Sequence, residues 1–352
     1  MDITPYLHLL RDKNGSDLFF TVGAPVKIKI EGSINSVGKT QLTGEVTKAA
    51  AYGIMNARQI QIFEDSMECD FAIALPDKSA RYRVNVFRQR GEVGMVLRRI
   101  PAEIPEISSL GLPDILSELV MAKRGLVLMV GATGSGKSTT LAAMINVRNR
   151  ALSGHILTIE DPVEFSHPNL KSIVNQREVG VDTLSYRSAL RASLREAPDV
   201  ILIGEIRDRE TMEAALELCN TGHLAISTMH ANNANQAMER VINLFPQDMH
   251  KQLFMDLSMN LRAVISQRLV KAIDGKRCAA IEILVNTPHI ADLILKGEVH
   301  SLKEAMEGSG QRGMQTFDMA LHKLFKEERV TLEEALSNAD SRTNLEAKIN
   351  FG

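Results

Sequence analysis

Leu126-Val127-Leu128-Met129-Val130-Gly131-Ala132-Thr133-Gly134-Ser135-Gly136-Lys137-Ser138-Thr139 is the stretch whose reading decides how most of this chain folds. Residues 131–138 fit the pattern G-x-x-x-x-G-K-[ST] without mismatch. The apolar run 126–130 reads as a buried parallel strand, and Leu141, Met144 and Ile145 recur behind it at helical spacing. Strand, glycine loop and helix together are the context that a phosphate-binding loop requires. Glycines let backbone N–H groups turn inward onto phosphate oxygens, and the helix N-terminus adds partial positive charge. Lys137 then reaches the β- and γ-phosphates, the Ser138 hydroxyl ligates Mg²⁺, and Gly131, Ala132, Thr133, Gly134, Ser135, Gly136 and Thr139 complete the cradle.

Composition narrows the function classes. The chain has 352 residues, 44% hydrophobic and 24% charged, which suits about two soluble domains. A net charge of −2 and a pI near 6.5 give no basic excess for nucleic acid or anionic lipid. With no Trp and four Tyr, base-stacking surfaces are scarce. Cys69, Cys219 and Cys278 are far apart and form no C-x-x-C, so neither a zinc site nor a disulfide framework is expected, and free thiols fit a reducing cytoplasm. Met1-Asp2-Ile3-Thr4-Pro5 lacks the features of a secretory leader, and no run approaches the roughly 18 apolar residues of a membrane span.

Outward from the loop, residues 1–100 read as a small α/β domain, 101–113 as a proline-punctuated interdomain linker, and 114–352 as the nucleotide-binding domain. In the first, strands are expected at 17–21, 26–30, 81–86 and 93–100, and helices near 3–10, 46–56 and 58–63. In the second, strands at 126–130, 155–159, 200–203 and 224–228 alternate with helices at 137–148, 183–196, 209–221 and 233–243, which argues for a largely parallel sheet. Residues 248–269 read as one long helix and 280–284 as a last strand. Beyond these the chain reads as helical, with an apolar stripe at Phe317, Ala320, Leu321, Leu324 and Phe325 and a capping box at 331–334.

Hydrolysis needs acids beside the phosphates. Strand 200–203 runs into Gly204-Glu205, which places Glu205 at the carboxyl rim where parallel sheets bind ligands and lets it hold Mg²⁺, partly through water. Strand 155–159 runs into Glu160-Asp161-Pro162-Val163-Glu164, with Glu164 expected to position or deprotonate water and Glu160 and Asp161 to support metal and geometry. His223 and His230 flank strand 224–228. At about 3.3 Å per residue they are too far apart to chelate one metal, and a phosphate or interface sensor competes with a plain structural role. Six arginines fall between 81 and 99, where a solvated strand face competes with a phosphate-sensing cluster.

Taken together and in order, these motifs resemble the type IV pilus retraction ATPases of the PilT/PilU family, within the secretion ATPase superfamily. The likeness covers nearly the whole chain: Gly15-Ser16-Asp17-Leu18, the arginine strands, the Walker A loop at 131–138, the Asp box at 158–164, the Walker B region at 197–208 and the His box at 221–230. Ala132, the segment 229–237 and the segment 286–294 resemble the PilU branch; PilT-type chains carry Pro at the position of Ala132 and a different helix where this chain has 290–297. The resemblance implies a PAS-like N-terminal domain and a RecA-like ATPase domain, with ATP and Mg²⁺ bound between them. It also implies a homohexameric ring at the cytoplasmic face of the inner membrane, partnered by a PilT-type motor and the pilus platform protein. It makes Arg83 and Arg98 phosphate-contacting residues, with Arg81 a weaker candidate, and ranks His230 above His223. An ATP-binding regulatory ring docked on a PilT-type partner is the competing reading. A nucleic-acid motor is disfavoured by charge and aromatic content, and a GTPase by the lack of Asn-Lys-x-Asp.

Overall fold

The computed structural model describes residues 1–77, 79–100 and 103–351. Pro101 and Ala102, the start of the expected linker, lie outside them. By packing, the chain divides into two compact units, Met1–Glu103 and Ile104–Gly352.

In the first unit the elements run α1 (Thr4–Asp12), β1 (Asp17–Phe20), β2 (Lys27–Ile30), β3 (Ser33–Ser36), α2 (Gly44–Tyr52), α3 (Ala57–Ser66), β4 (Glu68–Ala74), β5 (Arg81–Gln89) and β6 (Glu92–Ile100). The strands form one antiparallel sheet in the order β3-β2-β1-β6-β5-β4. On β5 the expected alternation holds: Tyr82, Val84 and Val86 are buried, while Arg83 faces solvent. The Tyr82 hydroxyl donates to the Leu7 carbonyl at 2.7 Å and so pins α1 to the sheet. Strands β3 and β4 were not anticipated, because β3 is exposed throughout and Glu68–Ala74 mixes charged with apolar residues.

The second unit contains α4 (Ile115–Val120), β7 (Gly125–Val130), α5 (Lys137–Ala151), β8 (Gly154–Glu160), β9 (Ser172–Glu178), α6 (Tyr186–Ser193), β10 (Val200–Ile203), α7 (Arg209–Asn220), β11 (Leu224–Met229), α8 (Ala234–Asn243), α9 (His250–Asn260), β12 (Leu261–Lys271), β13 (Arg277–Val285), α10 (Pro288–Lys296), α11 (Leu302–Glu307), α12 (Phe317–Lys326), α13 (Leu332–Ser337) and α14 (Arg342–Phe351). Its sheet has the order β13-β12-β7-β11-β10-β8-β9, parallel except for the antiparallel β12–β13 pair. Strands β7, β10 and β11 are buried along their full length, as crossover helices on both faces require. Residues 104–113 pack with this unit: Ile107 and Leu112 join its core beside Leu116 and Val127.

Two expectations fail here. The stretch 248–269 is helical only to Asn260; Leu261–Lys271 is a strand pairing with β7 on one side and β13 on the other. Residues 263–267 are buried on both faces, so the two-residue alternation that marks a strand is lost, and no Gly or Pro separates the segment from α9. Sheet pairing overrides the helical reading. At 331–334, Thr331 does cap α13 by accepting the Glu334 N–H. The Glu334 carboxylate, however, accepts the Lys271 N–H at 2.9 Å and so ties α13 to β12. The apolar stripe of α12 is core: Phe317 and Leu321 are fully buried. All three cysteines are free and buried, and burial pushes the Cys219 thiol up to about 12.

Candidate active site

The glycine loop joins β7 to α5 at the carboxyl end of the sheet. Gly136 stands at the head of α5 with φ +85°, and a Cβ there would lie 2.7 Å from Gln267 Nε2. Gln267, buried on β12, shapes the loop: its Nε2 donates to the Ser135 carbonyl at 2.7 Å, and its Oε1 accepts from the Thr140 hydroxyl at 2.8 Å. Lys137 Nζ donates to the carbonyls of Gly131 and Ala132 at 2.7 and 2.9 Å. Burial lowers the Lys137 pKa, and the Glu205 carboxylate opposes that shift.

Gly204 brings the ends of β8 and β10 together. Its N–H donates to the Ile159 carbonyl at 2.7 Å, and an added Cβ would meet Tyr186 Oη at 2.6 Å. The next residue, Glu205, is thereby set next to the end of β8. Its Oε1 lies 3.3 Å from His230 Nε2, and its Oε2 accepts from Arg207 Nε and Nη2 at 2.8 and 2.7 Å. Glu160 accepts from the Thr158 hydroxyl at 2.6 Å and from Gln176 Nε2 at 3.3 Å. Desolvation nevertheless raises its carboxyl above the usual range. Asp161 and Glu164 are exposed at the rim.

Lys137, Ser138, Glu160, Asp161, Glu164, Glu205 and His230 all line one cavity of about 260 Å³, together with Arg207, Tyr186 and His167. Burial drives the His167 pKa down to about 4, so the ring is neutral at physiological pH. A second cavity, about 740 Å³, lies against the same loop and is lined by Gly136, Thr139, Leu269, Ile273 and Arg277.

His223 does not join this group. It precedes β11, whereas His230 follows it, and the strand's six residues at about 3.3 Å each separate them. Because β11 runs parallel to β7, the start of β11 lies at the rim opposite the glycine loop. There the His223 Nδ1 lies 3.1 Å from the Leu218 carbonyl and 3.0 Å from the Thr221 hydroxyl, a local structural role. Arg83 and Arg98 belong to the first unit. They are register partners on β5 and β6, and Arg98 Nε donates to Asp17 Oδ1 at 2.8 Å.

Residues 5–343 match the family "Type II/IV secretion system protein". Type IV pilus ATPase PilU of Pseudomonas aeruginosa is 52% identical, covering 100% of this chain and 92% of its own. The type IV pilus retraction ATPase PilT of the same organism is 42% identical over 96% of this chain and 98% of its own. Among solved structures, the pilus retraction motor PilT with bound ADP superposes with a TM-score of 0.92 at 41% identity, covering 98% of this chain and 99% of that one. The chain belongs to the PilT/PilU family of pilus ATPases. The family's largely parallel ATPase sheet is present, nucleotide use follows from membership, and among the described residues no helix is long and apolar enough to cross a membrane.

Gln267, Arg207, Tyr186 and His167 of this PilT/PilU-type site escaped sequence reading. Gln267 was hidden because its strand read as helix. Arg207 had a usable signal, since it stands two residues beyond Glu205 in Gly204-Glu205-Ile206-Arg207-Asp208. Replacing Gln267 with Ala leaves the Ser135 carbonyl and Thr140 hydroxyl without this partner, at a cost of about 1–3 kcal/mol. The expected result is a lower melting temperature and a smaller ADP-induced stabilisation in calorimetry. An unchanged ADP-induced shift would show that Gln267 does not shape the phosphate loop.

Proposed function

We propose that this chain is a PilU-type ATPase that hydrolyses ATP with Mg²⁺ in a homohexameric ring and assists a PilT-type motor in pilus retraction. In this reading it works at the cytoplasmic base of the pilus machine, against the inner-membrane platform protein. The observation that carries the ATPase reading is the single cavity holding Lys137, Ser138, Glu164, Glu205 and His230.

Chemically, Lys137 exchanges its bonds to the loop carbonyls for the β- and γ-phosphates of ATP. The base and ribose take the neighbouring cavity at Thr139, Leu269 and Arg277. Among the described residues no group of three His, Cys, Asp or Glu side chains forms a metal site of its own. Ser138 and Glu205, hard oxygen donors in the same cavity, fit Mg²⁺, which takes most of its ligands from phosphate oxygens and waters. The metal would supply charge neutralisation at the γ-phosphate. Glu164, exposed at the rim, orients the attacking water and accepts its proton. Glu160, whose burial disfavours the charged form, supports the turn instead of binding metal. His230 Nε2 stands 3.3 Å from Glu205 Oε1 and flanks that carboxylate at the cavity. Arg83 and Arg98 enter this reading as phosphate-contacting groups of the first unit.

A second reading, a regulatory ring acting mainly by docking on a PilT-type partner, draws on segment 290–297, which departs from PilT-type chains and falls largely in α10. Steady-state ATP turnover of the isolated protein separates the two. Turnover above a Lys137→Ala background supports the motor, and turnover equal to it supports the docked ring. Pilus retraction measured in cells lacking this protein, its PilT-type partner or both tests the accessory role. Full retraction without the partner would remove it.

A further inference from the structure

The segment 230–233 carries His230 from the end of β11 to the start of α8, and it is anchored from behind by β12. Alternate residues of a strand face opposite sides. On one side of β12, Gln267 clamps the phosphate loop. On the other, the Ser266 hydroxyl donates to Glu282 Oε1 at 3.1 Å, and the same oxygen accepts the Ala234 N–H at 2.7 Å. One residue further on that side stands Arg268. Its Nη2 donates to the Asn232 carbonyl at 3.2 Å and pairs with Asp340 Oδ1 at 2.7 Å, and its Nη1 donates to the Asn338 carbonyl at 2.8 Å. The guanidinium lies 3.9 Å from the Phe317 ring centroid, stacked on α12.

Asp340 is in turn held by Lys303 Nζ at 3.2 Å. The buried Asp318 carboxylate accepts the N–H groups of Asp340 and Ser341 at 2.8 and 3.2 Å, which fixes the entry to α14. One planar fork therefore joins three parts of the unit: β12, the loop bearing His230, and the C-terminal helices. A lysine could keep the charge but could not make these divergent bonds together.

We propose that Arg268 is a positioning residue for the hydrolytic site, setting His230 through Asn232 and making the C-terminal helices a control surface for turnover. Displacement of α12 or of the turn before α14 pulls on the Asn232 carbonyl, two residues from His230, and so on the contact with Glu205. Gln267 stays in place, so nucleotide affinity is kept while the chemical step slows. The inference rests on the reading of His230 as part of the ATPase site.

A double-mutant cycle on the full-length protein tests it, with Arg268→Lys, His230→Ala and the pair together, each measured for kcat, KM and ADP affinity. Arg268→Lys is expected to lower kcat by roughly ten- to a hundred-fold, the scale of a misplaced catalytic group, with ADP affinity unchanged. In the His230→Ala background it should cost nothing further. If it costs the same factor there, or if ADP affinity falls in step with kcat, Arg268 acts as general scaffolding and the proposal fails. If His230→Ala itself leaves kcat unchanged, the site reading fails first, a distinct result. Should Arg268→Lys fold poorly, Asp340→Asn keeps the guanidinium and loosens its anchor. Its smaller kcat loss must also vanish in the His230→Ala background, and a loss that persists there overturns the proposal.

Discussion

Lys137→Ala is expected to bring ATP turnover down by roughly a hundred- to a thousand-fold, the scale for deleting one preorganised charged donor at a reacting phosphate. Two effects combine. The ammonium that would meet the β- and γ-phosphates is gone, and charge-assisted hydrogen bonds of this kind contribute about 1.5–3 kcal/mol each. The loop carbonyls of Gly131 and Ala132 also lose the donor that now bridges them. Because burial already disfavours the ammonium, its charge is held ready for an anion and is poorly compensated by water. Titration with a fluorescent ADP analogue, beside a phosphate-release assay, checks both parts. Tight binding that survived the substitution would mean that the loop amides alone hold the nucleotide.

Glu205→Ala should behave differently: turnover falls by roughly a hundred-fold or more, while ADP affinity in the same titration stays near that of the parent. The carboxylate reaches the cavity rim without shaping the glycine loop, whose clamp is Gln267 on the other flank. Removing it frees Arg207 and His230 at once, since both are held by Glu205 oxygens. Glu205→Gln keeps the shape but not the charge, and it should lose turnover almost as fully. Equal loss of binding and turnover would place Glu205 in nucleotide binding. Glu164→Gln is the companion measurement, and hydrolysis intact in that variant would take the water-positioning role away from Glu164.

What could be read without coordinates followed from how local the signals were. The phosphate loop, its strand and its helix are contiguous, and Glu205 and the acids 160–164 each follow shortly after an apolar strand, so their gathering at one rim was legible. The strand Leu261–Lys271 was not, because its character comes from pairing with β7, far away in the chain, and with β13 across the turn that follows, and its buried Ser266 and Gln267 break any simple pattern. Edge strand β9 alternates Ile173 and Asn175 outward with Val174 inward, yet its polar residues and the loop before it concealed it. His223 and His230 are parted for a geometric reason: residues flanking one parallel strand fall at opposite rims, and only one rim holds the phosphate loop. Arg268 and Asp340, separated by most of the C-terminal region, carry no joint signal in one sequence at all.

The buried thiols make this ATPase convenient to observe in motion. Cysteine chemistry runs through the thiolate, and Cys69, Cys219 and Cys278 are all buried with their ionisation disfavoured by desolvation. Maleimide dyes should therefore ignore the parent chain and label a single cysteine introduced at an exposed position in each unit. Energy transfer between two such dyes would report nucleotide-driven rearrangement in real time, with no native cysteine replaced.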